Sequence, residues 1–373
     1  MSIKKRRICH LTSAHPQYDI RIFHKECSSL AEYFDVHLVV VNGNTETINN
    51  VNIHSVDLPI NSRIQRFTKA VNAVFIKAKE INAEIYHLHD PELLRIANKL
   101  KKLGAKVIYD AHEDLPRQIQ SKPYLNKLSA NLLSYGIEIY ENYVISSLDV
   151  VVAATPYIAA RFEKIAPFSI AINNYPLKDE IDLPSEEHQN FKLSKRICYI
   201  GNISKIRGIE YLIKRMEFIP DFQLDLAGNF SSVILEKELK YTKGWKNVTY
   251  HGFIDRTRSR EIKKDALAGL VTFLNVPNHI NAQPNKIFEY MAASLPVISS
   301  DFELWKEIIE KNQCGICVDP EKPEKIANAI QYLYDNPDEA KEMGKNGLKA
   351  VKEKYNWEIE KKKLITLYQN LLS

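Results

Sequence analysis

The stretch at residues 85–110, IYHLHDPELLRIANKLKKLGAKVIYD, decides the fold. Residues 85–89 and 106–110 are short β-rich runs. Between them, residues 92–103 place apolar side chains at three- and four-residue steps, the period of an amphipathic helix. Strand, helix, strand is a βαβ unit, and units of this kind build a parallel sheet covered on both faces. The rhythm repeats outward. In the first half, further strands are expected at 8–12, 36–42, 150–154 and 169–173, with helical patterns at 23–33 and 64–81. In the second half, strands are expected at 196–200, 223–227, 248–251, 269–274, 296–299 and 315–318, with helices at 209–216, 285–293 and 323–335. Residues 176–194 are polar and acidic, contain two prolines and show no periodicity, which marks a linker.

The fold class expected is therefore α/β: two Rossmann-like, doubly wound domains facing a central cleft. The domains are residues 1–176 and 196–353, joined by a linker at 177–195. A helix in 354–373 follows the completed second sheet. In such sheets ligands bind beyond the carboxyl ends of the strands, which sorts the motifs below.

The 373 residues are 45% hydrophobic and 26% charged, which excludes disordered, collagen-like and disulfide-scaffold classes. No apolar run reaches the ~18–20 residues that cross a bilayer, and the start of the chain lacks a secretory apolar region. A cytoplasmic protein is expected. The 51 Lys+Arg against 46 Asp+Glu give a charge of +5, too mild and too scattered for a nucleic-acid partner. Five dispersed cysteines suit reduced thiols. Cys314 and Cys317 form a lone C-x-x-C whose neighbours read as a buried strand. The basic start, residues 4–7, reads as a solvated segment or as a membrane or phosphate contact.

Four stretches carry candidate chemistry. In the loop at 12–21, Asp19 either caps the next helix or contacts a ligand, and Arg21 lies in the first helical turn, where an anion is stabilised. At the ends of two adjacent strands, His89, Asp90, His112 and Glu113 reach one rim, with His87 and His89 on one face of their strand. Three readings stay open there: a metal site, helix caps by Asp90 and Asp114, or ligand recognition by His112 and Glu113. At 199–208, Gly201 allows close backbone approach, and Lys205 and Arg207 precede a helix, an arrangement suited to a diphosphate. The chain has neither G-x-G-x-x-G nor a Walker A sequence. At 283–298, Pro284 opens a helix on which Lys286 and Glu289 share a face. They serve a phosphate and the hydroxyls of a ribose, or else form an intrahelical ion pair. Finally, residues 118–145, with Lys122, Tyr124, Lys127, Leu132, Tyr135 and Tyr140, read as a packing helix or as an acceptor- or membrane-contacting surface.

On residues 87–93, 109–113, 201–208 and 284–298, the chain resembles the family 4 glycosyltransferases of the two-Rossmann-domain (GT-B) type, nearly end to end. The resemblance implies a transferase that moves a sugar, with retention, from a nucleotide-diphosphate donor to a glycan or lipid-linked glycan. It implies no metal and no cofactor. It assigns catalytic roles to His112, Arg207 and Lys286. Donor contacts fall to Gly201, Asn202, Lys205, Asn281, Gln283, Asn285 and Glu289, and acceptor or cleft positions to Asp19, Arg21, His89, Asp90 and Glu113. The final helix is implied to return to the first domain. The sequence departs from the family pattern at Asn281, where a glutamate is usual, and at Asn202, where an arginine is usual. Both departures shift weight onto Lys205, Arg207, Lys286 and the backbone amides around 282–284. Two other classes stay open: a sugar-nucleotide epimerase or phosphorylase of the same fold, and an idle nucleotide-binding subunit. A peripheral position at the inner face of the membrane is the alternative to a freely cytoplasmic one.

Overall fold

Eight short, β-branched-rich runs pair into one sheet: β1 (Arg7–Leu11), β2 (Asp35–Val41), β3 (Glu46–Ile48), β4 (Val51–Val56), β5 (Ile85–Leu88), β6 (Lys106–Ala111), β7 (Val150–Ala153) and β8 (Ser169–Ala171). Their order is β3-β4-β2-β1-β5-β6-β7-β8, parallel throughout except for the β3–β4 pair. A second sheet holds β9 (Arg196–Ile200), β10 (Gln223–Ala227), β11 (Val248–Gly252), β12 (Ala268–Val271), β13 (Val297–Ser300) and β14 (Gly315–Val318). Its order is β11-β10-β9-β12-β13-β14, all parallel. Among the parallel strands of each sheet the order reverses once, between β1 and β5 and between β9 and β12. Such switch points open a crevice at the carboxyl ends.

This computed structural model describes residues 5–60, 62–122, 125–181 and 194–373. The chain divides into two units. One is residues 1–174 with Trp357–Ser373, and the other is Tyr175–Asn356. These divisions differ slightly from the expected 176 and 353 because three rings hold both junctions. Tyr175 and Tyr355 pack on Phe288 at 4.7 and 5.1 Å between centroids and so belong to the second unit. Most of the expected linker, together with Lys4 and Tyr124, lies outside the described residues.

One hairpin escapes the strand pattern. Asn49 and Asn50, at φ 54° and 60°, turn the chain between β3 and β4. Two successive positive φ values make the tight turn whose twist suits a hairpin, and asparagine tolerates it.

In the first unit the alternation of β5 has structural force. Tyr86 and Leu88 join Cys9, Leu11, Tyr109 and Ala111 in an apolar cluster with the helices Val71–Ile81, Leu94–Lys101 and Lys127–Ile145. His87 and His89 fall on the other face with His10 of β1, whose backbone is paired with His87. The C-terminal helix Trp357–Leu372 belongs to this unit. Trp357 Nε1 donates to Ser29 Oγ at 2.9 Å, Glu360 accepts from the Asn173 amide at 2.9 Å, and Tyr368 reaches the histidines.

Trp357 is 1% exposed. Replacing it with alanine is expected to destabilise the first unit by about 3–5 kcal/mol and to leave the second unit unchanged. Amide exchange resolved by segment checks this. Equal loss of protection in both units would show that the helix does not stabilise the first unit alone.

Candidate functional site

At the first switch point a buried carboxylate organises everything around it. Asp110, near the end of β6, accepts two hydrogen bonds from Arg21, at 2.8 Å from Nε and 2.8 Å from Nη2. His112 Nε2 lies 3.0 Å away and His89 Nδ1 3.3 Å away. Burial opposes the charge, but Arg21 first, then His112 and His89, hold the carboxyl well below its ordinary range.

The element that delivers Arg21 is a π-helix, Ile20–Cys27. Asp19 caps it, accepting from the amides of Arg21 at 2.8 Å and Ile22 at 2.9 Å. Of the two readings open for Asp19, capping is the one on display. The five-residue π spacing stacks Arg21 on Glu26, with Nε 3.1 Å from Oε1. Burial pushes the Glu26 carboxyl well above its ordinary value, and the Asp110 charge adds to this, against the opposing pull of Arg21. Both causes favour the neutral carboxyl of Glu26 over its carboxylate.

Proton positions in the histidine cluster follow from this anion. Ionised Asp110 only accepts, so His89 donates from Nδ1 and must accept at Nε2. His10 Nδ1, 2.9 Å from that atom, is then the donor. His10 Nε2 accepts from the Tyr368 hydroxyl at 3.1 Å, which in turn accepts from His87 Nδ1 at 2.6 Å. The result is a directed chain, His87 to Tyr368 to His10 to His89 to Asp110, with one proton on each imidazole. His87 Nε2 is left with a lone pair 3.9 Å from Asp110 and no hydrogen-bond partner among the described residues. Burial independently favours neutral rings: His10 and His87 fall well below the ordinary value and His89 to about 4. His10, Glu26, His87 and His89 bring ligand atoms within 4.8 Å of one another, as do His89, Asp110 and His112. Of the imidazole nitrogens in the first group, all but His87 Nε2 are engaged in the chain.

Nearer the surface, Asp90 does not cap the helix it precedes. Its Oδ2 turns back to the loop after β1 and accepts from Thr12 Oγ1 at 2.7 Å and the Ser13 amide at 2.6 Å, while Oδ1 lies 2.9 Å from His15 Nδ1. Asp114 likewise makes no side-chain cap and faces Arg161 at 3.3 Å. His15 is raised despite its burial, chiefly by Asp90. Its ring lies 4.9 Å from that of His112. His89, Asp90, Arg21 and His112 thus share one network. Glu113 is exposed and bonded to Gln118.

At the second switch point, Gly201 follows β9 at φ 144°, and a β-carbon there would lie 2.2 Å from Lys286 Nζ and 3.7 Å from Arg207 Nη1. Only glycine lets these two cations meet over the strand end. Gly208, at φ 72°, brings the loop against Thr272 after β12; a β-carbon there would sit 1.8 Å from the Thr272 carbonyl oxygen. Arg207 stands over the Phe273 ring at 5.2 Å. Burial lowers Lys286, and Arg207 and Lys263 lower it further against the opposing effect of Glu289. Lys205 is not brought to this pair: its ammonium is exposed and 3.0 Å from Glu238. Asn202 is held by the Tyr199 hydroxyl, which donates to its carbonyl at 2.8 Å. Asn281 ends the short helix Pro277–Ile280, and Trp305 Nε1 donates to the next carbonyl, Ala282, at 2.6 Å. Gln283 Oε1 is buried without a hydrogen-bond partner, Asn285 opens the helix Asn285–Ala292, and Glu289 is half-buried one turn further on.

The sequence pattern does not single out His10, His15, Glu26, Asp110 or Tyr368, nor Phe273 and its ring neighbour His279. An alternation signal exists for His10 and Asp110, each a polar residue on the inward parity of an apolar strand. Glu26 lies five residues from Arg21, a spacing with no meaning on an α-helix, and Tyr368 is distant in sequence from its partners.

Two family models match the chain: one described as Glycosyltransferase Family 4 over residues 24–170, the other as Glycosyl transferases group 1 over residues 182–350. An uncharacterized glycosyltransferase of Methanocaldococcus jannaschii is 29% identical over 205 residues, 52% of this chain and 51% of that protein. The D-rhamnosyltransferase WbpZ of Pseudomonas aeruginosa is 25% identical over 292 residues, 74% of this chain and 71% of its own length. The chain spans about half the length of the first curated relatives it matches. Among solved structures, sucrose-phosphate synthase from Thermosynechococcus elongatus superposes with a TM-score of 0.79 at 17% identity, covering 99% of each chain. Anabaena HepE in complex with UDP gives 0.74 at 12% identity, covering 98% of this chain and all of that one. At these identities the likeness shows the two-Rossmann-domain fold alone.

The upward shift of the Glu26 carboxyl has a pH signature. Its folded pKa lies above the unfolded one, so its contribution is present at low pH and is lost as pH rises through the folded value. Glu26→Gln, which keeps the shape of the protonated acid, removes that loss. Urea unfolding at pH 5 and pH 8 is expected to show the variant gaining stability relative to the parent as pH rises. Parallel profiles would mean that Glu26 is ionised in the folded protein.

Proposed function

The chain belongs to the family 4 glycosyltransferases, and from that premise we propose that it moves a sugar from a nucleotide-diphosphate donor to a hydroxyl of a glycan or lipid-linked glycan, with retention of configuration. The observation that carries this reading is the meeting of Lys286 and Arg207 over Gly201, with Glu289 one turn along the same helix as Lys286. Two cations at a strand end and a helix start meet the two charges of a diphosphate. Burial destabilises the Lys286 ammonium when no anion is present, so a bound phosphate restores favourable partners to it. Glu289 accepts from the ribose hydroxyls, and the backbone around 282–284 contacts the sugar in place of the side chain that Asn281 does not supply.

In the reaction, the bond from the anomeric carbon to the phosphate oxygen breaks and a bond to the acceptor oxygen forms. The acceptor's proton passes to the departing diphosphate. Lys286 and Arg207 stabilise the negative charge that grows on that group, so the proposal needs no metal or other cofactor and no enzymic nucleophile. His112, its Nε2 committed to Asp110, has Nδ1 to offer a sugar hydroxyl. The first unit takes the acceptor in this reading and the second unit the donor. UDP is the first nucleotide to try, because solved neighbours of the same fold hold it.

Calorimetry with UDP and GDP, and turnover across a panel of sugar nucleotides with and without acceptors, test the proposal. Glu289→Ala is expected to weaken nucleotide binding by about 1.5–3 kcal/mol. Arg207→Ala and Lys286→Ala are expected to lower kcat as well as affinity, because their contacts strengthen as the phosphate leaves. Lys205→Ala, paired with Glu238, is expected to do little. Wild-type turnover in both the Arg207 and Lys286 variants would place the diphosphate elsewhere. Product formed without an acceptor would indicate an epimerase, dependence on free phosphate a phosphorylase, and binding without turnover an idle subunit.

A further inference from the structure

The helix Lys127–Ile145 packs inward with only Val144 and Ile145 of its large apolar residues buried, and carries most of the others outward. Its inward positions include Ala130, Ser134 and Glu141, with Glu141 bound to Arg161 and accepting from the Tyr109 hydroxyl at 3.3 Å. Its outward positions are Leu128, Leu132, Tyr135, Ile139 and Tyr143, spaced by four, three, four and four residues, so they form one stripe. They are 71%, 66%, 67%, 53% and 73% exposed. At 1.5 Å per residue the stripe runs about 22 Å. Tyr140 widens it and lies close enough to Arg95 to feel its charge. Arg95 donates to the Phe67 carbonyl, which joins the exposed Phe67 and Ile64 to the same face.

Charge settles what covers this face. Among the described residues of the three helices that line this side of the first unit, Lys69, Lys79, Arg95, Lys99 and Lys127 are exposed cations. The single exposed acid, Glu80, is paired with Lys77. Lys99 lays its stem along the Phe75 ring, with Nζ 5.5 Å from the centroid. A second copy of the chain docked on this face would set cations against cations with no acids to answer them. We propose that the face formed by the outward stripe of residues 127–145 and the start of the helix at 64–67 lies on an anionic lipid surface. Leucines and isoleucine enter the acyl boundary, three tyrosines sit at headgroup depth, and the flanking cations meet lipid phosphates. No helix among the described residues is long and apolar enough to cross a bilayer, so the contact is peripheral. The inference goes beyond the transferase reading and does not rest on it.

The test is co-sedimentation of the full chain with vesicles of phosphatidylcholine alone and of phosphatidylcholine mixed with phosphatidylglycerol. Binding to the mixed vesicles is expected to exceed binding to the neutral ones by at least ~10-fold and to weaken with salt. The double variant Leu132→Asp, Tyr135→Asp is expected to lose it, as is Lys99→Glu with Arg95→Glu. Circular dichroism checks the fold of each variant, and turnover on a soluble acceptor keeps this test separate from the transferase reading. The proposal is overturned if the parent ignores mixed vesicles or if both double variants bind as the parent does. It is also overturned if light scattering shows a dimer that Leu132→Asp, Tyr135→Asp dissolves.

Discussion

A carboxylate without water must be answered from every side, and Asp110 sets that requirement for the whole first unit. Moving such a charge out of water costs several kcal/mol even after relaxation. The cost is offset by the two-pronged Arg21 guanidinium and by N–H donors from His89 and His112. Arg21 can stand there because Asp19 starts its helix at the right residue and the π winding turns the side chain inward. His89 can donate because its other nitrogen finds a donor in His10, and that chain runs back through Tyr368 to His87 Nδ1. The loop after β1, the π-helix, two strand ends and the final helix are therefore fixed relative to one anion.

The two units use one topology for opposite electrostatics. At the β1/β5 switch point the strand ends carry Asp110, Asp90 and imidazoles, an acidic set satisfied by the chain's own donors. At the β9/β12 switch point the loops and helix beyond them carry Lys286 and Arg207, a cationic set. Nothing in the strand order demands this division. It lies in the residues that follow each strand, which is why fold likeness alone says little about chemistry.

Much of this was readable in advance, for definable reasons. Strands such as β9 and β10 were legible to the residue because parallel strands inside a sheet are short, largely buried runs with abrupt ends. The pair Lys286 and Glu289, and the cation at 207, were legible because helical spacing and position after a strand are local facts. What stayed hidden was non-local or ran against local habit. The hairpin at Asn49 and Asn50 has a weak β pattern and a turn without glycine. Asp90 stood where a cap belongs, yet its carboxylate found stronger donors in Thr12 and Ser13, 78 and 77 residues earlier. Lys205 follows the same strand as Arg207 but turns outward to Glu238, and no sequence rule distinguishes neighbours two apart on a single turn of 3-10 helix. Glu26 and Tyr368 required the π winding and the returning helix to be known first.

The placement of Tyr368 also orders events in time. Its hydroxyl meets His10, 358 residues earlier in the chain, so the first unit to be synthesised is the last that can close. The second unit is continuous from Tyr175 to Asn356 and has all its parts before Trp357 leaves the ribosome. Until then His10 and His87 lack the hydroxyl that joins them in the finished fold. Long-range closure of this kind is slow. The first unit is completed by a helix whose residues follow the whole of the second unit in the chain.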